Sequence, residues 1–303
     1  MATLSKAQGR TRRAGGMLSR REARLGYALV APVLICLLVL VFYPFMFAIW
    51  ISFTDRMIGR PGQFVGLANY AYLFGQPSFQ ASVRNTVVLV VAVQALKLVF
   101  GLGIALLLNQ PIRGRNLWRA LILLPWAMPA FVAYLTWKLL YAPQGGAFNM
   151  ILIGSGLVKT HVDFLSSPQL AMPSVIVATF WRGFPFWVIS FLAAMQNVPI
   201  ELYEAAAMDG AGPWQRFRNI TLPGIRHVVL VVVLLSTIWT TNGFENIWLM
   251  TQGGPSDSTM TFPVLAYFGM QSLRIGEASA VSVAMLPIFG MLALVVVKLL
   301  QED

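Results

Sequence analysis

Long apolar stretches separated by short polar segments dominate the chain from about residue 25 onward. About 20 apolar residues in a helix cross the hydrocarbon of a bilayer, and on that rule spans are predicted at about 27–53, 86–108, 118–141, 172–196, 227–250 and 277–300. The predicted fold is an all-α integral membrane protein with six transmembrane helices. Loops fall at about 54–85, 109–117, 142–171, 197–226 and 251–276, and none is long enough for a separate soluble domain. Residues 1–24 form a basic tail, and residues 25–303 a six-helix transmembrane domain whose most polar loop lies at about 197–226.

Composition supports this reading. Of 303 residues, 57% are apolar and 11% charged, and the mean hydropathy is +0.70, outside the range of soluble domains. The net charge of +11 raises the question of nucleic acid, but the basic residues are scattered between apolar runs, as in a topology with basic cytoplasmic loops. If the amino terminus is inside, the inner segments hold the basic residues of the tail together with Arg113, Arg115, Arg119, Arg216, Arg218, Arg226 and Lys298. The outer loops hold only Arg56, Arg60, Arg84, Lys159 and Arg274. Both termini are therefore predicted to be cytoplasmic, in the cytoplasmic membrane of a bacterium or archaeon, and no nucleic-acid partner is expected.

The first apolar run is too long for a signal-peptide core and has no small-residue cleavage site, so it reads as a retained span. Ser19 and Glu22 have capping-box spacing. The tail is either a short basic helix on anionic lipid or a topogenic signal only.

Catalytic chemistry has little foothold. There is no Gly-rich phosphate loop ending in Gly-Lys-Ser/Thr and no Gly-x-Ser-x-Gly. Cys36 is the only cysteine, and His161 and His227 lie far apart without ligand spacing, so no metal site and no catalytic residues are expected.

The informative residues are those that are costly in lipid. Arg182 lies about nine residues into the fourth span, roughly 14 Å deep at a rise of about 1.5 Å per residue. It must face protein or water. With Trp181, Phe184, Phe186 and Trp187 around it, an aromatic and basic lining for a sugar ring is one reading; pairing with a carboxylate or carbonyl on another helix is the other. Gln94 and Lys97 share a helix face and suit a polar contact between helices. Asn242, Glu245 and Trp248 form a polar stripe near the outer end of the fifth span, either bordering a pathway or merely solvated. The candidate pathway set is thus Arg182, Trp181, Phe186, Asn242, Glu245 and Trp248. Pro125, Pro129, Pro173, Pro185 and Pro287 fall inside spans and modestly favour a bundle of bent, moving helices. Gly101 and Gly103 suit close helix packing.

The loop at 197–226 carries the most specific signal. Early acids Glu201 and Glu204, the run Ala205 to Ala207, and breaks at Gly210 and Gly212-Pro213 predict a helix, a turn and a second short helix from about Trp214 to Asn219. Its Glu204-Ala205-Ala206, Gly210 and Ile220-x-Leu222-Pro223, with Asp209-Gly210-Ala211, resemble the EAA loop of membrane subunits of binding-protein-dependent ABC importers. Tyr43-Pro44, Ser52-Phe53, Phe64-Val65-Gly66-Leu67-Ala68-Asn69-Tyr70 and Leu249-Met250-Thr251-Gln252-Gly253-Gly254-Pro255 are similar to the sugar-importer permeases of that family.

The resemblance covers nearly the whole chain from residue 25 and implies a type I ABC importer permease fold. It further implies a second homologous permease subunit, a cytoplasmic ATPase dimer that carries ATP and Mg, and an extracytoplasmic solute-binding protein. This chain itself would bind no cofactor. Glu204, Ala205, Ala206, Asp209, Gly210, Leu222 and Pro223 would belong to the coupling loop. The cargo implied is a sugar, oligosaccharide, polyol or glycerol-phosphate compound. An ion-coupled transporter or channel is the alternative, disfavoured by the scarcity of acids within spans.

Overall fold

Helices form wherever the apolar stretches run, and what differs from expectation is where they bend. The computed structural model describes residues 20–301, so Ser19 and the tail before it lie outside the described residues. The chain divides into two units, Met1–Trp50 and Ile51–Asp303.

In the first unit, α1 (Arg20–Leu37) passes through a π-helical turn (Leu38–Phe42) into α2 (Tyr43–Ser52), whose last two residues enter the second unit. The apolar stretch Leu25–Ser52 is 28 residues long, enough to cross a bilayer. Leu29, Leu34, Leu40 and Phe42 on it are all exposed. The π turn sits immediately before Pro44. Tyr43 N donates to Leu38 O, five residues back, and the added residue makes room where a proline ring would strike the preceding turn.

The second unit opens on a clamp. Asn69, in α3 (Ala68–Phe74), is buried, and its Nδ2 donates to the carbonyls of Ser52 and Thr54, both at 2.8 Å. Ser52 Oγ and Tyr70 Oη lie 2.7 Å apart. Helix α4 (Pro77–Asn109) follows, with proline at its first position as helix starts favour. The third predicted span becomes two helices, α5 (Arg115–Ala127) and α6 (Ala130–Leu140), which meet at 90°. Pro129 marks the break, whereas Pro125, Pro173 and Pro185 lie inside continuous helices.

After α7 (Ala147–Gly154) comes α8 (Pro168–Gln196), 29 residues long and second only to the 33 of α4. Next come α9 (Ile200–Met208), α10 (Pro213–Arg216), a second π turn (Phe217–Thr221) and α11 (Leu222–Thr241). The stretch Pro213–Thr241 is continuously helical, so the fifth span begins earlier than expected and ends at Thr241 rather than near residue 250. Beyond it lie α12 (Glu245–Met250), α13 (Phe262–Gln271), α14 (Ile275–Val283) and α15 (Leu286–Gln301).

Among the described residues, four helices are long and apolar enough to cross a membrane, and five if the bent pair counts as one span. The sixth predicted span falls on α14 and α15, of 9 and 16 residues. Among the described residues there are no strands, only two isolated bridges, Thr54 with Phe64 and Met57 with Arg60.

Helix α8 organises the core. Its first half contributes Met172, Val175 and Ala178 to a cluster with Leu89, Tyr134, Trp137 and Ile247. Its second half contributes Trp187, Val188, Phe191 and Leu192 to another with Ala105, Leu108, Ile225 and Val232. Between Ala178 and Trp187 it gives neither cluster a buried member, although Trp181 packs against the first and Phe184 and Phe186 against the second.

Candidate functional site

The gap between the two clusters is a cavity of about 100 Å³. Thr179, Arg182, Gly183 and Phe186 line it from α8, at i, i+3, i+4 and i+7, which is one face of a helix. Ser236, Trp239, Thr240 and, just past the helix end, Gly243 line it from α11 with the same spacing. Lys97, Trp126, Tyr134 and Asn246 complete the wall.

Polar contacts tie these helices together. Lys97 is buried at 5% exposure, and its Nζ donates to Ser236 Oγ at 3.2 Å and Thr240 Oγ1 at 3.4 Å. Gln94 accepts from Ser236 Oγ at 3.0 Å and donates to Thr240 Oγ1 at 3.4 Å. The contact between helices expected of Gln94 and Lys97 is thus present, between α4 and α11. Asn246 Nδ2 donates to Thr179 Oγ1 at 3.2 Å, and the Tyr134 hydroxyl hydrogen-bonds with Thr179 and Arg182. Arg182 Nε and Asn246 Oδ1 are buried without a hydrogen-bond partner. A charge at the middle of a span costs ~2.5–3.5 kcal/mol on the insertion scale, so cations held here need polar company.

The structure places the predicted pathway residues in several environments. Arg182 and Phe186 line the cavity. Trp181 instead packs edge-on to Trp137, ring centroids 5.6 Å apart, beside the first cluster. Trp248 stacks with Phe244 and packs against Tyr267 and Phe268. Asn242 and Glu245 are exposed, and the helix breaks between them, so the three do not form a continuous helical stripe. Glu245 still acts electrostatically on Tyr134. Trp126, Tyr134, Thr179, Ser236, Trp239, Thr240 and Asn246 were not singled out from the sequence, although the repeated i, i+3, i+4 spacing on α8 and α11 is visible there. Of the two glycines expected at close packing, Gly101 faces Trp187, while Gly103 has open space around its Cα.

The second site is the polar hairpin. Helix α9 has no buried residue; Glu204, Ala205 and Asp209 are exposed and Ala206 half-buried. Ile200, Leu202, Met208 and Trp214 also present apolar surface, at 63%, 50%, 89% and 68% exposure. Gly210 has φ +78°, a left-handed conformation costly for any residue with a Cβ, and it reverses the chain between α9 and α10. Two contacts bolt the hairpin to the start of α11. Tyr203 Oη lies 3.0 Å from Thr221 Oγ1, and Val198 packs against Gly224. Leu222 and Pro223 are not in the turn but at the first positions of α11, where Leu222 N donates to Phe217 O across the π turn.

The chain is thus a set of long apolar helices with a polar-lined cavity among them and an exposed hairpin. The family of binding-protein-dependent transport system inner membrane components matches residues 97–302, and the chain belongs to it. It is 37% identical over 267 residues, 87% of this chain and 90% of the other, to the trehalose/maltose transport system permease protein MalF of Thermococcus litoralis. It is 33% identical, over 86% of this chain and 85% of the other, to the sulfoquinovosyl glycerol transport system permease protein SmoG of Agrobacterium fabrum. Among solved structures it resembles a chain of a bacterial alginate ABC transporter in complex with an alginate pentasaccharide-bound periplasmic protein. There the TM-score is 0.77 at 25% identity, over 91% of this chain and 93% of that one. The protein is a multi-pass inner membrane permease component of a binding-protein-dependent transport system.

Proposed function

We propose that this chain carries a saccharide or sugar-like solute, delivered by an extracytoplasmic binding protein, through a six-span bundle paired with a second homologous permease. ATP and Mg act on a separate cytoplasmic ATPase dimer. The observation that carries the reading is the α9 hairpin, a helix with no buried residue projecting from a family permease yet bolted to a long apolar helix. An exposed apolar helix invites a groove. Glu204, Ala205, Ala206, Asp209 and Gly210 form the docking element, and Leu222 and Pro223 begin the helix through which its motion is transmitted. The cavity at Arg182 and Phe186 is the cargo path inside the bundle.

Glu204→Lys, which reverses charge on the exposed face, and Gly210→Val, which forbids the left-handed turn, are expected to abolish uptake by the assembled importer. Both should release the ATPase or uncouple its hydrolysis, read by co-purification and ATPase assay, while the permease still reaches the membrane. Normal uptake in both variants would remove the docking role, and transport by the purified chain alone under an ion gradient would replace the reading by an ion-coupled one.

A further inference from the structure

The cavity between α4, α8 and α11 carries a charge that sugar transport as such does not require. Lys97 and Arg182 both line it, and among the described residues neither forms an ion pair with a carboxylate. Lys97 Nζ reaches only the hydroxyls of Ser236 and Thr240. Arg182 Nε has no partner. The acid that bears electrostatically on this region, Glu245, is exposed at the first turn of α12.

Two cations in one small space repel one another, and burial strengthens that repulsion. An anion entering between them removes it and meets charge-assisted donors. The cavity between the helices has a volume of about 100 Å³. It has room for a carboxylate or sulfonate group beside the two cations. At the same cavity Trp126 and Trp239 are 51% and 54% exposed, and Phe186 packs on Trp239, an aromatic wall for the ring that bears the group. Asn246, 3% exposed with its Oδ1 unpartnered, supplies an acceptor for a sugar hydroxyl.

We propose that the cavity receives the anionic group of the cargo on Lys97 and Arg182, so that the importer's substrates are acidic saccharides rather than neutral ones. This rests on the reading of the chain as a saccharide permease and adds to it a substrate class. A neutral sugar would leave both cations facing hydroxyls alone.

The test uses the complete importer with its own partner subunits in proteoliposomes, and matched probes. Cellobiose and trehalose are each compared with their 6-carboxylate and 6-sulfonate counterparts, first for binding by the cognate binding protein and then for ATP-driven uptake. The acidic members are expected to bind and enter at least tenfold better than the neutral ones. Arg182→Gln should lower acidic uptake roughly tenfold or more, the loss of one charge-assisted hydrogen bond, while Arg182→Lys restores part of it. Preference for neutral probes, or an acid-to-neutral ratio unmoved by Arg182→Gln, overturns the substrate class and leaves the permease reading standing. Loss of association between the two permease subunits in Arg182→Gln, with that ratio unchanged, assigns the cations to a partner's carboxylate and also overturns it. If no saccharide is bound or carried, the saccharide reading under Proposed function falls as well.

Discussion

Lys97 and Gly183 occupy one another's space. A Cβ at Gly183 would strike Lys97 Cε and come within 2.7 Å of Nζ. These atoms end a flexible side chain that can move aside, at the expense of its bonds to Ser236 and Thr240. Gly101 is a different case, because a Cβ there meets Trp187 Cβ at 2.8 Å, an atom fixed next to the backbone of a fully buried residue. Gly101→Leu is therefore expected to force α4 and α8 apart and to destabilise the permease by about 1–3 kcal/mol, the usual cost of overpacking. Gly183→Ala should leave the thermal midpoint of the detergent-solubilised complex nearly unchanged but lower uptake by displacing Lys97. A large drop in midpoint for Gly183→Ala would show that Lys97 cannot yield. Part of this was legible in the sequence, since Gln94 and Lys97 share a face and glycines permit close approach. Which glycine faces a tryptophan and which faces open space depends on the partner helix, and spacing within α4 cannot give that.

Proline-containing motifs at the level of helices show why boundaries were harder to read than spans. Tyr43-Pro44 and Leu222-Pro223 both follow directly on a π-helical turn, and in each the residue before proline donates to a carbonyl five residues back. A proline after a polar segment reads as a helix start; the π turn lets the helix run through it instead, so the hairpin at 197–226 continues rigidly into α11. That continuity gives Tyr203 its importance, because its hydroxyl near Thr221 Oγ1 locks α9 across the π turn. Tyr203→Phe removes one hydrogen bond, a net ~0.5–1.5 kcal/mol. It is expected to leave ATPase binding intact while lowering the ratio of cargo imported to ATP hydrolysed. An unchanged ratio would mean that the packing of Val198 on Gly224 holds the hairpin unaided. The fifth span shows the converse difficulty: apolar residues resume at Ile247–Met250 after the short polar stretch Asn242–Asn246, and the break at Asn242–Phe244, which Gly243 but no proline marks, separates α11 from α12.

For the whole molecule, the number of crossings turns on the bent pair α5 and α6. Apolar content alone made residues 118–141 one span, but α5 has 13 residues and α6 has 11. At a rise of about 1.5 Å and a right-angle bend the pair reaches roughly 26 Å end to end, slightly short of a hydrocarbon core of about 30 Å. Either the pair crosses, with the flanking polar groups drawn inward, or it dips in and returns. The charges favour crossing: Arg113, Arg115 and Arg119 gather at its start, and Lys138 near its end is alone, the asymmetry expected of a segment that begins in the cytoplasm. Cys36 is the only cysteine, so Cys36→Ser provides a background for single-cysteine labelling in intact cells and inside-out vesicles. Asn116→Cys, in the first turn of the pair, and Met208→Cys, in the hairpin, are expected to react only from the cytoplasmic side, and Gln144→Cys, after the pair, only from outside. All three positions are exposed in the chain, and with the permease expressed without its ATPase, which would cover Met208, failure to label reports sidedness and not burial. Labelling of Asn116→Cys and Gln144→Cys from one side would make the pair re-entrant, reduce the crossings by one and place the two chain termini on opposite faces of the membrane. Met208→Cys reacting only from outside would be graver, because the helix exposed for docking would then face away from any ATPase.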